Sequence, residues 1–414
     1  MLETIKPNIL ALAKKSETDL KDIYKTIDDI AFINSQRILN AFINNQVSYN
    51  DFAEINGYGN YDSGRDKLEK IFAEVLGCQD ALVRPHIMSG TTALYLTFSA
   101  LLKYGDTFLS ITGTPYDSLQ EMIGLIGDSN QSLKAYGVNY KQIDLLDDDF
   151  DNDKIIEALK DQSIKVVEIQ KSRGYSQRSS LTNSQIEKVI KVIKEVNKNV
   201  IVVVDNCYGE LVEDKEPGHV GADVVVGSLM KNLGGGIANS GGYVAGNSDL
   251  IEMIAERLSA PGIGKELGAN FNTNNSYFKG IFMAPNAVKN ALKTAVFSAY
   301  MLEKLNYEVS PKYHEYRSDI IQAIQLKNKE NLVKFAQGLQ ESSPIDSYVK
   351  VLPAPMPGYP FDEVMACGAF TQGSTIELSA DGPVVEPYTL YMQGSLSFEY
   401  GKLSIMSTLS KIID

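Results

Sequence analysis

Lys231, Asp205 and Ser228 are the residues whose types and spacing carry the chemistry. Asp205 ends a β-branched run, Ile201 to Val204. Ser228 follows a second apolar run, Val224 to Val226, and Lys231 comes three residues later, ahead of the glycine cluster Gly234 to Gly236. Each run reads as a buried strand with polar residues at its carboxyl end, which is where open α/β sheets bind ligands. A lysine amine for an aldehyde, a carboxylate for a ring nitrogen and donors for a phosphate together suit pyridoxal phosphate. The 26 residues from Asp205 to Lys231 leave room for one crossover and one strand. Desolvation beside a cationic Schiff base would lower the Lys231 pKa toward that of a useful base. The plainer alternatives are a capping carboxylate and a solvated surface lysine.

Three further groups join them. Ser89-Gly90-Thr91 lies between a strand and a helix, where backbone N–H groups and the positive helix end form a natural phosphate cradle, although Ser/Thr with Gly is also an ordinary helix cap. Gln170 to Tyr175 follows the strand Val166 to Ile169 and faces the same crevice. Within it Arg173 is a candidate for holding a substrate carboxylate in bidentate fashion or for pairing with the phenolate region of the cofactor, and Arg178 is a second candidate. Cys207 reads as a small buried filler. The nucleotide phosphate loop GxxxxGK[ST] is absent, and His86, His219 and His314 lack metal-ligand spacing, so no metal site is expected.

The string VDNCYGE…GADVVVGSLMKN…GGG…GGYVAG resembles the bacterial family of aluminium-resistance or methionine gamma-lyase-like proteins. That family lies within the cystathionine-metabolism group of fold-type-I pyridoxal-phosphate enzymes, and the resemblance runs from about Asn56 to the C-terminus. It implies a fold-type-I fold and a carbon–sulfur lyase acting on a sulfur-containing amino acid by β- or γ-elimination. Lys231 inherits the Schiff base and the Cα proton, Asp205 the pyridinium nitrogen and Ser228 a phosphate contact. Tyr116, in Gly-Thr-Pro-Tyr-Asp, matches the aromatic that stacks on the cofactor ring and in some relatives assists proton transfer to the leaving group. Tyr58 and Arg65 resemble the pair that reaches a neighbouring subunit's phosphate, which implies a homo-oligomer, a dimer of dimers in related enzymes. The stretch Ser379 to Pro387 also resembles the family, but Val385 stands where an arginine is expected, and the wider group uses a small-domain arginine for the substrate carboxylate. Transamination, racemisation, and a non-catalytic cofactor-binding protein linked to metal resistance remain as alternatives.

These residues need a scaffold. From Ala81 onward strands and helices alternate: strands at 81–84, 107–111, 166–169 and 200–204, helices at 91–102, 118–126, 155–159, 184–196 and 251–258. That pattern predicts a mostly parallel sheet with helices on both faces. Residues 1–65 read as a helical arm and interface loop, 66–285 as the large α/β cofactor domain, and 286–414 as a smaller α+β domain. The segment Lys265 to Asn286 reads as irregular, Ala287 to Leu305 as a bridging helix, Ser318 to Leu339 as a helix, Pro353 to Pro360 as a rigid loop, and Ser374 to Ser379 and Tyr388 to Met392 as strands.

A chain of 414 residues with 44% hydrophobic residues can bury a large core. Its formal net charge of −13 disfavours nucleic acid and anionic membranes as partners. Three cysteines in no disulfide or zinc spacing, and no apolar run long enough to span a bilayer, point to the cytoplasm.

Overall fold

The computed structural model describes residues 5–58, 62–356 and 361–413. Two N-terminal helices, α1 (Pro7–Asp19) and α2 (Lys21–Asn44), lead to α3 (Ser63–Leu76), which Asp62 caps by accepting the Arg65 N–H and Gly77 ends in a left-handed turn. Then follow β1 (Asp80–Val83), α4 (Gly90–Leu101), β2 (Thr107–Ser110), α5 (Asp117–Ile123), β3 (Asn139–Gln142), α6 (Asn152–Ala158), β4 (Ile164–Gln170) and α7 (Asn183–Val196). The unit continues with β5 (Ile201–Asp205), β6 (Val224–Ser228), β7 (Gly242–Gly246) and α8 (Ser248–Leu258). The seven strands are ordered β1-β7-β6-β5-β4-β2-β3. The run from β3 to β6 is parallel, while β7 pairs antiparallel with both β6 and β1.

Strand alternation divides the apolar residues between two faces. Val203, Val224, Val226 and Val244 pack with Phe98 of α4 and Ile254 of α8. Val202, Val204, Val225 and Ala245 pack with the larger core that also takes in α3, α7 and the first helices. Burial on both faces is why these strands read as continuous valine runs. One polar tie fastens α3 to the sheet: buried Glu69 accepts from Arg84 Nε at 2.8 Å, and Arg84 also donates to the carbonyls of Lys265 and Leu267.

The long helix α9 (Asn274–Lys304) begins thirteen residues before its expected start, inside the segment read as irregular. Its first turns bury Tyr277, Phe278 and Ile281, and tertiary packing outweighs the polar sequence there. Beyond it lies a six-stranded antiparallel sheet, β10-β11-β12-β13-β9-β8, formed by β8 (Glu308–Ser310), β9 (Gln322–Gln325), β10 (Ala354–Pro355), β11 (Asp362–Cys367), β12 (Ser379–Pro383) and β13 (Thr389–Gln393). Helices α10 (Lys329–Glu341) and α11 (Phe398–Ile412) cover it. The helix expected over Ser318 to Leu339 is a correction: Gln322 to Gln325 is a central strand, and the helix starts only after Asn328, whose side chain caps it. Ser374 to Leu378 is likewise not strand; β12 begins at Ser379. Of the loop Pro353 to Pro360, residues 357–360 lie outside the described residues, and two residues before them form β10.

The N-terminal helices are not a free arm. Tyr300 of α9 donates to Asp19, and Asn34 of α2 donates to the carbonyls of Leu211 and Glu213. Among the described residues no helix is long and apolar enough to cross a membrane.

Candidate active site

Three strand ends and one helix start converge. After β6 the Ser228 hydroxyl accepts the Met230 N–H at 3.1 Å and turns the chain so that Lys231 faces the end of β5. Only glycine permits the next turn, since a Cβ on Gly234 would lie 1.6 Å from the Leu229 oxygen. Asn232 then donates to the carbonyls of Tyr208 and Glu210 at 3.1 and 2.8 Å, which ties the segment after β6 to the segment after β5. Tyr208 adopts φ +67°, a left-handed backbone that is costly for an aromatic residue, and its ring lies beneath the Lys231 amine, 4.1 Å from Nζ to the ring centroid.

Asp205 is buried at the end of β5, where its Oδ1 accepts the Cys207 N–H at 3.0 Å. Behind it Glu168 of β4 is also buried; burial and the Asp205 charge push its carboxyl up to about 8, while Ser110 donates to it. Cys207 is buried as well, and burial pushes its thiol far up, in keeping with a filler. Burial works to lower the Lys231 pKa, but the neighbouring Cys207, Tyr208, Asp205 and Tyr116 outweigh it and hold the ammonium above its ordinary value. The expected lowering rested on a cationic neighbour, and the chain's own groups around this amine are acidic.

Ser89 caps α4 by accepting the Thr92 N–H at 3.1 Å, and Thr91 shares a hydrogen bond with Ser118. Gly90 meets β6 so closely that a Cβ there would stand 3.0 Å from the Ser228 Cβ. Ser89, Gly90, Thr91 and Ser228 therefore meet at a helix N-terminus, a donor set that suits phosphate. Together with a lysine amine and a strand-end carboxylate, this arrangement fits pyridoxal phosphate.

Tyr116 opens α5; its N–H donates to Gln170, and its ring stands 6.0 Å from that of Tyr175. Arg173 and Arg178 do not offer free guanidinium groups. Arg173 is buried, and each of its side-chain nitrogens donates to its own chain, at the carbonyls of Gln177, Arg178 and Ser310 and the Ser310 hydroxyl. Arg178 donates to the carbonyls of Gln170, Ser172 and Ser179. Both brace the loop after β4, and the carboxylate-binding expectation gives way to that role. Arg65 is buried too, paired with Asp66 and donating to the Glu266 carbonyl, whereas Tyr58 is 81% exposed. Its loop continues through residues 59–61, which lie outside the described residues. Val385 sits in the turn between β12 and β13, where its carbonyl accepts the Tyr388 N–H.

Sequence reasoning missed Tyr208, Glu363 and Asp381. Tyr208 carried a signal, as an aromatic three residues past a strand-end aspartate. Asp381 lies in the Ser379 to Pro387 stretch that resembles the family, but nothing in the sequence pairs it with Glu363; the register of β11 on β12 is what brings them together.

The family model for methionine gamma-lyase matches residues 9–413. The Bacillus subtilis (strain 168) protein YnbB, itself uncharacterized, is 44% identical over 97% of this chain and 96% of its own. The solved structure of a carbon-sulfur lyase involved in aluminum resistance from Clostridium novyi NT is 44% identical, with a TM-score of 0.95 over 99% of this chain and 97% of that one. The pyridoxal-5'-phosphate dependent protein YhfS from Escherichia coli is only 14% identical, yet shares the fold at a TM-score of 0.63 over 92% of this chain and 96% of its own. With its strand-end lysine and aspartate on a fold-type-I scaffold, and a family match along nearly its whole length, the chain belongs to the methionine gamma-lyase family.

Proposed function

We propose that this protein is a pyridoxal-phosphate-dependent carbon–sulfur lyase acting on a sulfur-containing amino acid. The observation that carries the reading is the convergence of the Lys231 amine, the Asp205 carboxylate and the Gly90–Ser228 approach at the N-terminus of α4, at one end of the parallel sheet.

When bound, the cofactor supplies a sink for the electron pair left at the substrate Cα. The protein's part is positioning and proton movement. With the cofactor bound, Lys231 Nζ would hold it at its aldehyde carbon and would be placed to take the proton from the substrate Cα. The Asp205 carboxylate accepts the ring-nitrogen N–H and keeps it protonated. The open N–H groups of the first turn of α4, with the hydroxyls of Ser89, Thr91 and Ser228, take the phosphate. The Tyr116 hydroxyl gives a proton to the departing sulfur.

The enzyme is proposed to work as a homo-oligomer in the cytoplasm, where its cysteines stay reduced. Tyr58 projects from the loop ahead of α3, and α2 carries the exposed side chains of Phe32, Leu39 and Ile43 near exposed Phe282 of α9. An apolar face of that kind marks a contact with another copy.

The test is the absorption spectrum of the purified protein with pyridoxal phosphate, followed by a panel of sulfur amino acids with keto-acid release as the readout. A band at roughly 400–430 nm and release of pyruvate or 2-oxobutyrate are expected. A protein that binds no cofactor would overturn the reading.

A further inference from the structure

Beside Lys231 the second sheet closes a cavity of about 160 Å³. Tyr116, Tyr175, Tyr208, Tyr391, Glu363 and Asp381 stand around it, and among the described residues its lining contains no arginine or lysine. Glu363 and Asp381 come from adjacent strands. Asp381 lies opposite Met365 and Glu363 opposite Pro383, so the two carboxylates sit diagonally on one face of the sheet, a separation of roughly 7–8 Å between backbones.

Glu363 is 6% exposed, and its Oε2 is buried with no hydrogen-bond partner among the described residues. Asp381 Oδ1 is in the same condition. Burial, the Asp381 charge and then Asp117 push Glu363 up to about 7. Burial likewise raises Asp381 to about 6, against hydrogen bonds from Tyr175 and Gln393 and the charge of Lys231. Unpartnered buried carboxylate oxygens are costly, and a cation placed between them removes that cost. The tyrosines add to this: the rings of Tyr175 and Tyr391 are 5.0 Å apart, and aromatic faces attract ammonium groups. A carboxylate entering here would meet two carboxyl groups in the lining, with the Lys231 charge lying outside it and already acting on Asp381.

Resting on the lyase reading above, we propose that this cavity is the leaving-group pocket and that Glu363 and Asp381 select substrates whose thiol portion carries an ammonium group. The volume, close to the roughly 150 Å³ of an apolar cavity that binds benzene, holds an aminoalkyl group of a few heavy atoms. For S-(2-aminoethyl)-L-cysteine the Cα–H and Cβ–S bonds break, and the sulfur leaves protonated as 2-aminoethanethiol. One water then completes hydrolysis of the three-carbon remainder to pyruvate and ammonia, with no net oxidation.

The experiment uses the full-length protein loaded with pyridoxal phosphate and three cysteine thioethers bearing 2-aminoethyl, propyl and 2-carboxyethyl groups. Keto-acid release gives kcat/KM. The corresponding 3-thiopropanoates, which lack the α-amine and are not cleaved, report binding as a shift in melting temperature. A preference for aminoethyl over propyl of at least tenfold in kcat/KM, together with the largest melting shift, is expected. Glu363→Gln and Asp381→Asn should each remove most of that preference, read as the ratio of the aminoethyl to the propyl kcat/KM. Equal or better use of the propyl or carboxyethyl compound, or equal loss on all three in the variants, overturns the pocket assignment. Binding that prefers aminoethyl without keto-acid release supports the pocket and overturns the lyase reading instead. Keto-acid release without charge preference does the reverse.

Discussion

The Lys231 ammonium lies over the face of the Tyr208 ring, 4.1 Å from its centroid. A ring in that position attracts the cation without occupying its hydrogen-bonding directions, so the amine stays available for a carbonyl carbon. Lys231→Ala should abolish the long-wavelength absorption of the cofactor-loaded protein and lower keto-acid release by at least about 10²-fold, the smaller end of what a positioned base contributes. Tyr208→Phe should keep the band, and Tyr208→Leu should weaken cofactor retention.

Asp205→Asn tests the ring-nitrogen contact. The Cys207 N–H can still be accepted by the amide oxygen, so the fold should hold. Losing a charge-assisted hydrogen bond of roughly 1.5–3 kcal/mol should lower kcat by about 10- to 150-fold. Thermal melting without cofactor checks that the loss is chemical.

Gly90→Ala would place a Cβ 3.0 Å from that of Ser228 and crowd the helix N-terminus assigned to phosphate. Cofactor affinity, measured by equilibrium dialysis, should fall at least tenfold, while Ser228→Ala should cost less because it removes one contact and opens space.

Glu168 links the site to pH. Its folded pKa of about 8 lies above the ordinary carboxylate value of about 4.3, so it adds stability that is complete below the ordinary value and lost as pH rises through 8. Denaturant unfolding between pH 6 and 8 should therefore show Glu168→Gln with a slope less negative by about 1.4 kcal/mol per pH unit.

The buried Glu69–Arg84 pair behaves oppositely. Burial would raise Glu69, but Arg84 and Lys265 together hold it below its ordinary range. Its contribution is present above the ordinary carboxylate pKa and lost as pH falls through the lowered one. Arg84→Ala leaves that carboxylate uncompensated and should cost about 3–5 kcal/mol in denaturant unfolding at neutral pH.

The parallel sheet and its catalytic lysine were legible because β5 and β6 are buried on both faces, which leaves uninterrupted valine runs with polar ends. Ser89 and Gly90 were legible through capping grammar. The second sheet was not. Gln322 to Gln325 alternates too briefly to be told from a helix, and the start of α9 is polar because its buried positions are few and aromatic. Arg173 looked like a carboxylate ligand because its type is right; only the backbone carbonyls gathered around it reveal a brace. Glu363 and Asp381, about eighteen residues apart in a region of short strands, become neighbours through register alone.

The carbonyl of Met230 accepts the Thr375 N–H at 3.0 Å, so the connection between β11 and β12 reaches the residue before Lys231 through main chain. Apart from proline at position 375, which lacks the N–H, no side-chain replacement at either position deletes that tie. The cavity's walls are thus inherited with the backbone while its lining is free to vary, and descendants of this chain can exchange carboxylates for other groups and acquire new leaving-group preferences without rebuilding the catalytic floor.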